Sequence, residues 1–379
     1  MASTDGARCY SSGVLGRPLA LALTMILTAC AAKARLAPVG PFPMATLWTT
    51  SLEESIEGEL AADERRVFVA TRDGAILALD GDTGALLWKV TGPTRRVVSA
   101  RPGVLVARGL DGALSSLSPR NGAARWTVAT AVKGDLPALV ADDVFVVAGE
   151  GLSAVEAATG RVLWSLPPDA VATAPPVLVG TCLLVGEGDG TLRCRDPKTG
   201  ASRWTYGTGS ALLAPPVADA EGHIVVGTTD RRILSLDLGK GHLRWRFKVG
   251  ADVQNAAAVQ GKRVFVAAFD AVLYAVFAGN GNLAWRVPLP SRPLSPPLLT
   301  HGALILACHE NEIVGFDPRT GRRVGGLKTS ELLRTSPLVS GRRLFVGLRN
   351  RSVQAFDLPA TGGAPELEPD SKDRASEAP

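Results

Sequence analysis

Tryptophan returns along this chain at a nearly constant interval. Trp48, Trp88, Trp126, Trp164, Trp204, Trp245 and Trp285 are separated by steps of 40, 38, 38, 40, 41 and 40 residues. From Trp88 onward a glycine stands four residues before each ring, at Gly84, Gly122, Gly160, Gly200, Gly241 and Gly281. An eighth unit keeps Gly321 but carries Gly325 where the ring should be. A period of about 40–45 residues, with four short strands in each unit, predicts an all-β fold built of propeller blades.

The clearest unit runs from Val67 to Trp88. Val67 to Ala70 is a β-branched and aromatic run, which reads as a strand. Asp73-Gly74 then forms a hairpin turn, since glycine accepts the positive φ such a turn needs. Ile76 to Leu79 is a second strand. Asp80 to Gly84 is a tight turn in which the carboxylate can accept from nearby backbone N–H groups. Leu86 to Val90 is a third strand and carries the Trp. A fourth, proline-marked strand precedes each unit, as in Ala174-Pro175-Pro176-Val177, Ala214-Pro215-Pro216-Val217 and Ser295-Pro296-Pro297-Leu298. Proline cannot donate to a ladder and belongs on an edge, here the strand lining the axial channel.

Eight middle hairpins start near Val67, Val104, Val144, Leu183, Ile224, Val264, Leu304 and Leu344. Trp48 precedes the first, and the last has no outer strand after it. Ring closure resolves both facts: the segment around Ala45 to Leu52 supplies the outer strand of the last blade and hides an edge. An open solenoid would need capping repeats, and none is written here. The expected fold is an eight-bladed β-propeller of four-stranded antiparallel blades over residues 45–358. Gly325, lacking a ring, is expected to be the weak blade contact.

Residues 1–29 read as a lipoprotein signal peptide. Arg8 and Arg17 precede an apolar stretch of 11 residues, Leu19 to Ala29, too short to span a membrane. It ends in Leu27-Thr28-Ala29-Cys30, so cleavage before Cys30 and a diacylglycerol on its sulfur are expected. Residues 30–44 read as a lipidated tether. Residues 359–379 are rich in Pro, Glu and Ser and read as a disordered acidic tail. The formal net charge of +5 has no basic block or aromatic stripe behind it, so nucleic acid is not an expected partner.

Among the five cysteines, Cys182 and Cys194 flank one hairpin turn on strands that should pair. An exported protein could oxidise them to a disulfide, or they could pack as thiols. Cys308 lies alone in a middle strand. No catalytic constellation is written. The four histidines (His223, His242, His301, His309) fall in separate blades or loops without metal-ligand spacing.

Ala78-Leu79-Asp80-Gly81-Asp82-Thr83-Gly84-Ala85-Leu86-Leu87-Trp88 resembles the tryptophan-docking motif of quinoprotein-type propellers. Some members of that superfamily are dehydrogenases that hold a quinone between a Trp and a disulfide of adjacent cysteines, with calcium nearby. This chain has no adjacent Cys pair, and its seven Trp are all used by outer strands, so neither quinone nor metal is expected. An eight-bladed, lipid-anchored, stand-alone propeller resembles the BamB family of outer-membrane assembly lipoproteins. That resemblance implies a non-catalytic scaffold at the periplasmic face of the outer membrane, a monomer within a complex. Its partner would be a barrel insertase of the BamA type, or another envelope protein, held by loops between blades. The corresponding loops, 206–214, 249–254 and 329–336, offer Leu212, Leu213, Asp252 and Arg334 as contact candidates. A carbohydrate- or peptide-binding propeller outside barrel assembly is the alternative.

Overall fold

A computed structural model describes residues 41–358 apart from 93, 94, 220 and 301. Cys30, the signal segment, most of the tether and the tail lie outside those residues. Strands occur in eight antiparallel sheets that follow one another around a ring. Blade 1 comprises Ala61–Ala62, Arg66–Ala70, Ala75–Asp80 and Leu86–Thr91, in that order from the axis outward. Inner strands of successive blades touch one another, which places them around the axis.

Middle strands are sandwiched between neighbouring blades and so are buried on both faces. Val67 to Ala70 and Ala78 to Leu79 have no exposed surface, and this explains their unbroken apolar runs. Outer strands alternate between exposed and half-buried positions, and the Trp takes one of the inward positions. In blade 3 the two middle strands run together as Val144–Glu156. That span doubles back at Gly151, where φ is +108°. Ala157 N donates to Asp143 O across 3.0 Å, whereas 13 extended residues would hold their ends about 40 Å apart.

Each Trp docks on the blade that follows it. Its Nε1 donates to the carbonyl one residue after the turn acid or its equivalent: Trp88 to Pro119 at 3.0 Å, Trp164 to Pro197 at 2.9 Å, Trp204 to Leu238 at 2.8 Å. Its ring lies on the turn glycine. A Cβ on Gly241, where φ is +71°, would sit 2.4 Å from Trp204 Cε3. Backbone conformation and ring contact both demand glycine there, which is why the Gly and the Trp repeat together. Trp48, Trp126, Trp245 and Trp285 dock the same way on Gly81–Gly84, Ala157–Gly160, Ala278–Gly281 and Pro318–Gly321.

Blade 8 is closed by the N-terminal strand. Ala45–Ser51 pairs antiparallel with Ser352–Asp357, giving a sheet that also holds Arg343–Gly347 and Leu338–Ser340. Two expectations need correction here. The tether does not extend to residue 44, because Met44 is buried and Phe42 packs into blade 7. Nor is the Gly325 contact empty. Gly325 pairs with Gly315 across the ladder, and the two bare Cα positions form a shelf for the Phe42 ring. A Cβ on Gly315 would lie 2.2 Å from Phe42 Cε2, and one on Gly325 2.4 Å from Phe42 Cβ. The missing aromatic is supplied from the other end of the chain.

In blade 4 the sulfurs of Cys182 and Cys194 are joined, with their Cα atoms 5.4 Å apart. Leu184 lies directly opposite Cys194, so the pair is diagonal on one face. Cys308 is fully buried as a free thiol, and burial pushes its pKa up to about 11.

Candidate partner-binding face

The ring has two dissimilar faces. One, here called the lower, carries the turns that receive the Trp rings and the turns joining inner to middle strands. The two kinds of turn are tied together, as where Gly81 N donates to Arg65 O and Leu358 N to Arg342 O. The upper face carries the middle hairpins and the loops between blades. Each loop is anchored to the hairpin of the blade it leaves: Thr208 N donates to Gly190 O at 2.8 Å, Val249 N to Arg231 O at 3.0 Å, and Thr329 N to Asn311 O at 3.0 Å.

Loop chemistry repeats as well. Ile56, Val132, Leu212, Val253 and Leu333 each drive an apolar side chain between blades and are at most 5% exposed. Leu212 covers Gly186, and its carbonyl accepts from Thr173 Oγ1 at 2.7 Å. Leu212 is therefore a packing residue and is withdrawn as a contact candidate. The two leucines of that loop point opposite ways, and Leu213 is 37% exposed. Asp252 is half-buried; its carboxylate accepts from Gln254 Nε2 at 2.9 Å, and its carbonyl accepts from Phe269 N. Arg334 is exposed, with its backbone N donating to Gly347 O at 2.8 Å. Leu213 and Asp252 thus lie on consecutive loops, while Arg334 sits two loops further round.

Residues not singled out from sequence hold these loops in place. Arg232 Nη2 donates to Thr208 O at 2.8 Å and pairs with Asp230. Burial opposes ionisation of Asp230, but its hydrogen bonds to Arg232 and Thr228 prevail and hold the carboxyl below its ordinary range. Tyr274 Oη donates to Asp270 Oδ2 at 2.5 Å and accepts from Gly250 N at 3.2 Å, fixing the loop that bears Asp252. Burial, then the Asp270 hydrogen bond, raises the phenol pKa. Arg108 is 1% exposed and donates to the carbonyls of Leu136, Ala148 and Val132. Desolvation lowers its pKa to about 10. The loop from blade 2 to blade 3 is thereby stapled from beneath. Period alone reveals none of these side chains, although Val132, Leu212 and Val253, 80 and 41 residues apart, fall at about two periods and one and so mark the buried plugs. Preformed loops cost little to order when a partner binds.

On the lower face, Asp219, Glu221 and His223 bring one ligand atom each within 4.8 Å of the others. Asp219 Oδ1 accepts from the backbone N of Glu221 and of His223, and Oδ2 lies 2.8 Å from His223 Nδ1. The carboxylate thus caps its own turn.

Among solved structures, BamB from Moraxella catarrhalis is similar in fold, with a TM-score of 0.71 at 18% identity over 84% of this chain and 99% of that one. A quinohemoprotein alcohol dehydrogenase from Comamonas testosteroni has a TM-score of 0.69 at 13% identity, over 88% of this chain and 79% of that one. Among curated relatives, the outer membrane protein assembly factor BamB of Moranella endobia is 24% identical over 79% of this chain and 72% of its own length. The BamB of Yersinia pestis is 22% identical over 83% and 89%. The serine/threonine-protein kinase AfsK of Streptomyces griseus is 32% identical over 45% of this chain, which spans only 23% of the kinase. One family model matches residues 44–167, 110–213 and 188–358, which together run through all eight blades. The chain belongs to the family that this model describes, the outer membrane protein assembly factor BamB.

Proposed function

We propose that this chain is a non-catalytic scaffold that helps insert β-barrel proteins into the outer membrane. In this reading a diacylglycerol on Cys30 holds it at the periplasmic face, and its upper face grips a periplasmic domain of a barrel insertase. The observation that carries the reading is the family match across the whole ring. Two features of the ring support it. All seven Trp side chains are committed to blade docking, so none is left as a cofactor floor. The upper loops are pinned from below while Leu213 and Arg334 stay accessible, which suits recognition by shape and charge on a stable frame.

The test is capture of the insertase's periplasmic domain by the mature chain and by Leu213→Asp, Asp252→Arg and Arg334→Glu. At least one should lose about tenfold or more in affinity, as residues at an interface centre do, with its urea midpoint unchanged. Equal capture by all three variants, or no capture by the wild type, overturns the assignment. In parallel, labelling of cells with a palmitate analogue should mark the wild type and not Cys30→Ser.

A further inference from the structure

We infer that the lower face of blades 6–8 is a docking surface for an anionic phospholipid bilayer. The inference rests on the reading of Cys30 as the lipid anchor. Its starting point is where the described chain begins and ends. Phe42 seats in blade 7, Ala45 pairs with Asp357, and Leu358 N donates to Arg342 O on the lower face. The chain therefore enters and leaves the ring at the lower edge of blades 7 and 8. Twelve residue steps join Cys30 to Phe42 and span no more than about 40 Å. A lipid at Cys30 keeps this edge within that distance of the membrane. The upper loops then point away, one strand length of about 20 Å beyond.

The same edge is basic. Lys262, Arg319, Arg322 and Arg342 are exposed on the turns of blades 6, 7 and 8. Arg263 Nη1 donates to the carbonyls of Pro318 and Arg319, so the turns of blades 6 and 7 form one surface. Asp357, 3.4 Å from Arg342, and Asp317, whose carboxylate accepts from Arg319 N, offset part of this charge. Across the ring the lower turns of blade 3 carry Asp142, Asp143 and Glu156, of which Asp142 pairs with Arg101 and Glu156 with Arg161, and the adjacent blade 2 turn carries Arg120. The lower edge of blades 6–8, where basic groups outnumber acidic ones, coincides with the attachment point. An anionic leaflet attracts each nearby Lys or Arg by about fivefold in affinity, within a Debye length of the surface. A tether alone permits any orientation; the basic edge selects one, with the partner-binding loops facing the periplasm. The tail that follows Leu358 in sequence contains Glu366, Glu368, Asp370, Asp373 and Glu377 and is the natural competitor for this edge.

The experiment uses the mature chain with Cys30→Ser, so that no acyl chain contributes, and vesicles of phosphatidylcholine with and without about a third phosphatidylglycerol. Co-sedimentation should require phosphatidylglycerol and weaken with salt. It should fall about 100-fold or more in the triple variant Lys262→Glu, Arg319→Glu, Arg322→Glu. Reversal of two exposed charges on the upper face, Lys133→Glu with Arg292→Glu, should leave it unchanged. Binding that ignores phosphatidylglycerol, or falls equally in both variant sets, overturns the proposal. Binding that appears only after residues 359–379 are removed also overturns it and assigns the basic edge to the tail. Because the assay contains neither lipid anchor nor insertase, its outcome is separate from the palmitate labelling and the capture experiment.

Discussion

Phe42 offers a sharp test of how the last blade contact is made. Its ring occupies a shelf left by Gly315 and Gly325 and is half-buried. Truncating a fully buried Phe costs about 3–5 kcal/mol, so Phe42→Ala should cost about 2–3 kcal/mol. The glycine side of the contact makes the test specific. In blades 1, 3, 6 and 8 the residue opposite the Trp is alanine: Ala78, Ala154, Ala275 and Ala355. Alanine is thus well suited to that ladder position, and only the Phe42 ring forbids it at 315. Gly315→Ala alone should cost about 1–3 kcal/mol by overpacking. With Phe42→Ala already in place the same change should cost nothing. The coupling energy of the cycle should therefore be about 1–3 kcal/mol, read from urea midpoints followed by tryptophan fluorescence. Additive costs would mean that Phe42 does not occupy the shelf.

Trp164→Ala and Trp48→Ala should each lower stability by about 3–5 kcal/mol, since both rings dock on a neighbouring blade and Trp48 also spans the closure; unchanged midpoints would disprove docking as the source of stability. Replacing Cys182 and Cys194 with alanine should cost about 3 kcal/mol for releasing a loop of 12 residues' separation, and a midpoint equal to wild type would count against the bond. Cys308 holds its proton more tightly folded than unfolded. The stability this contributes is complete below pH 9 and lost as pH rises through about 11, so Cys308→Ala should flatten the stability profile over that interval; identical profiles would rule out the buried thiol as a contributor.

The ring was legible because its joints are backbone demands. A positive-φ turn under a flat indole admits only glycine, so each joint writes two letters at fixed spacing. Ring closure followed from counting strands, because Trp48 had no hairpin of its own. Phe42 was not legible: it lies over 270 residues from Gly315, outside the period and of a different residue type. Loop contacts were only half legible. Leu212 and Leu213 are chemically identical, and what separates them is direction, set by the hydrogen bond from Thr173 Oγ1 to Leu212 O and by the open Cα of Gly186. The stapling roles of Arg108 and Arg232 were hidden because each acts on main-chain carbonyls, and carbonyls leave no trace in the alphabet of side chains.

Closure of blade 8 also imposes an order of events. Within the ring, Ala45–Ser51 is the first strand to leave the ribosome, and its partner Ser352–Asp357 is the last. The hydrogen bond from Gln354 to Thr49 joins residues 305 positions apart. Until Ser352–Asp357 emerges, the opening strand has no ladder and the growing stack of blades has an unpaired rim at each end. Such long-range pairing is slow and leaves strand edges open to other chains. The fold therefore reports its own completeness: a chain truncated before Ser352 lacks the clasp and keeps its strand edges open.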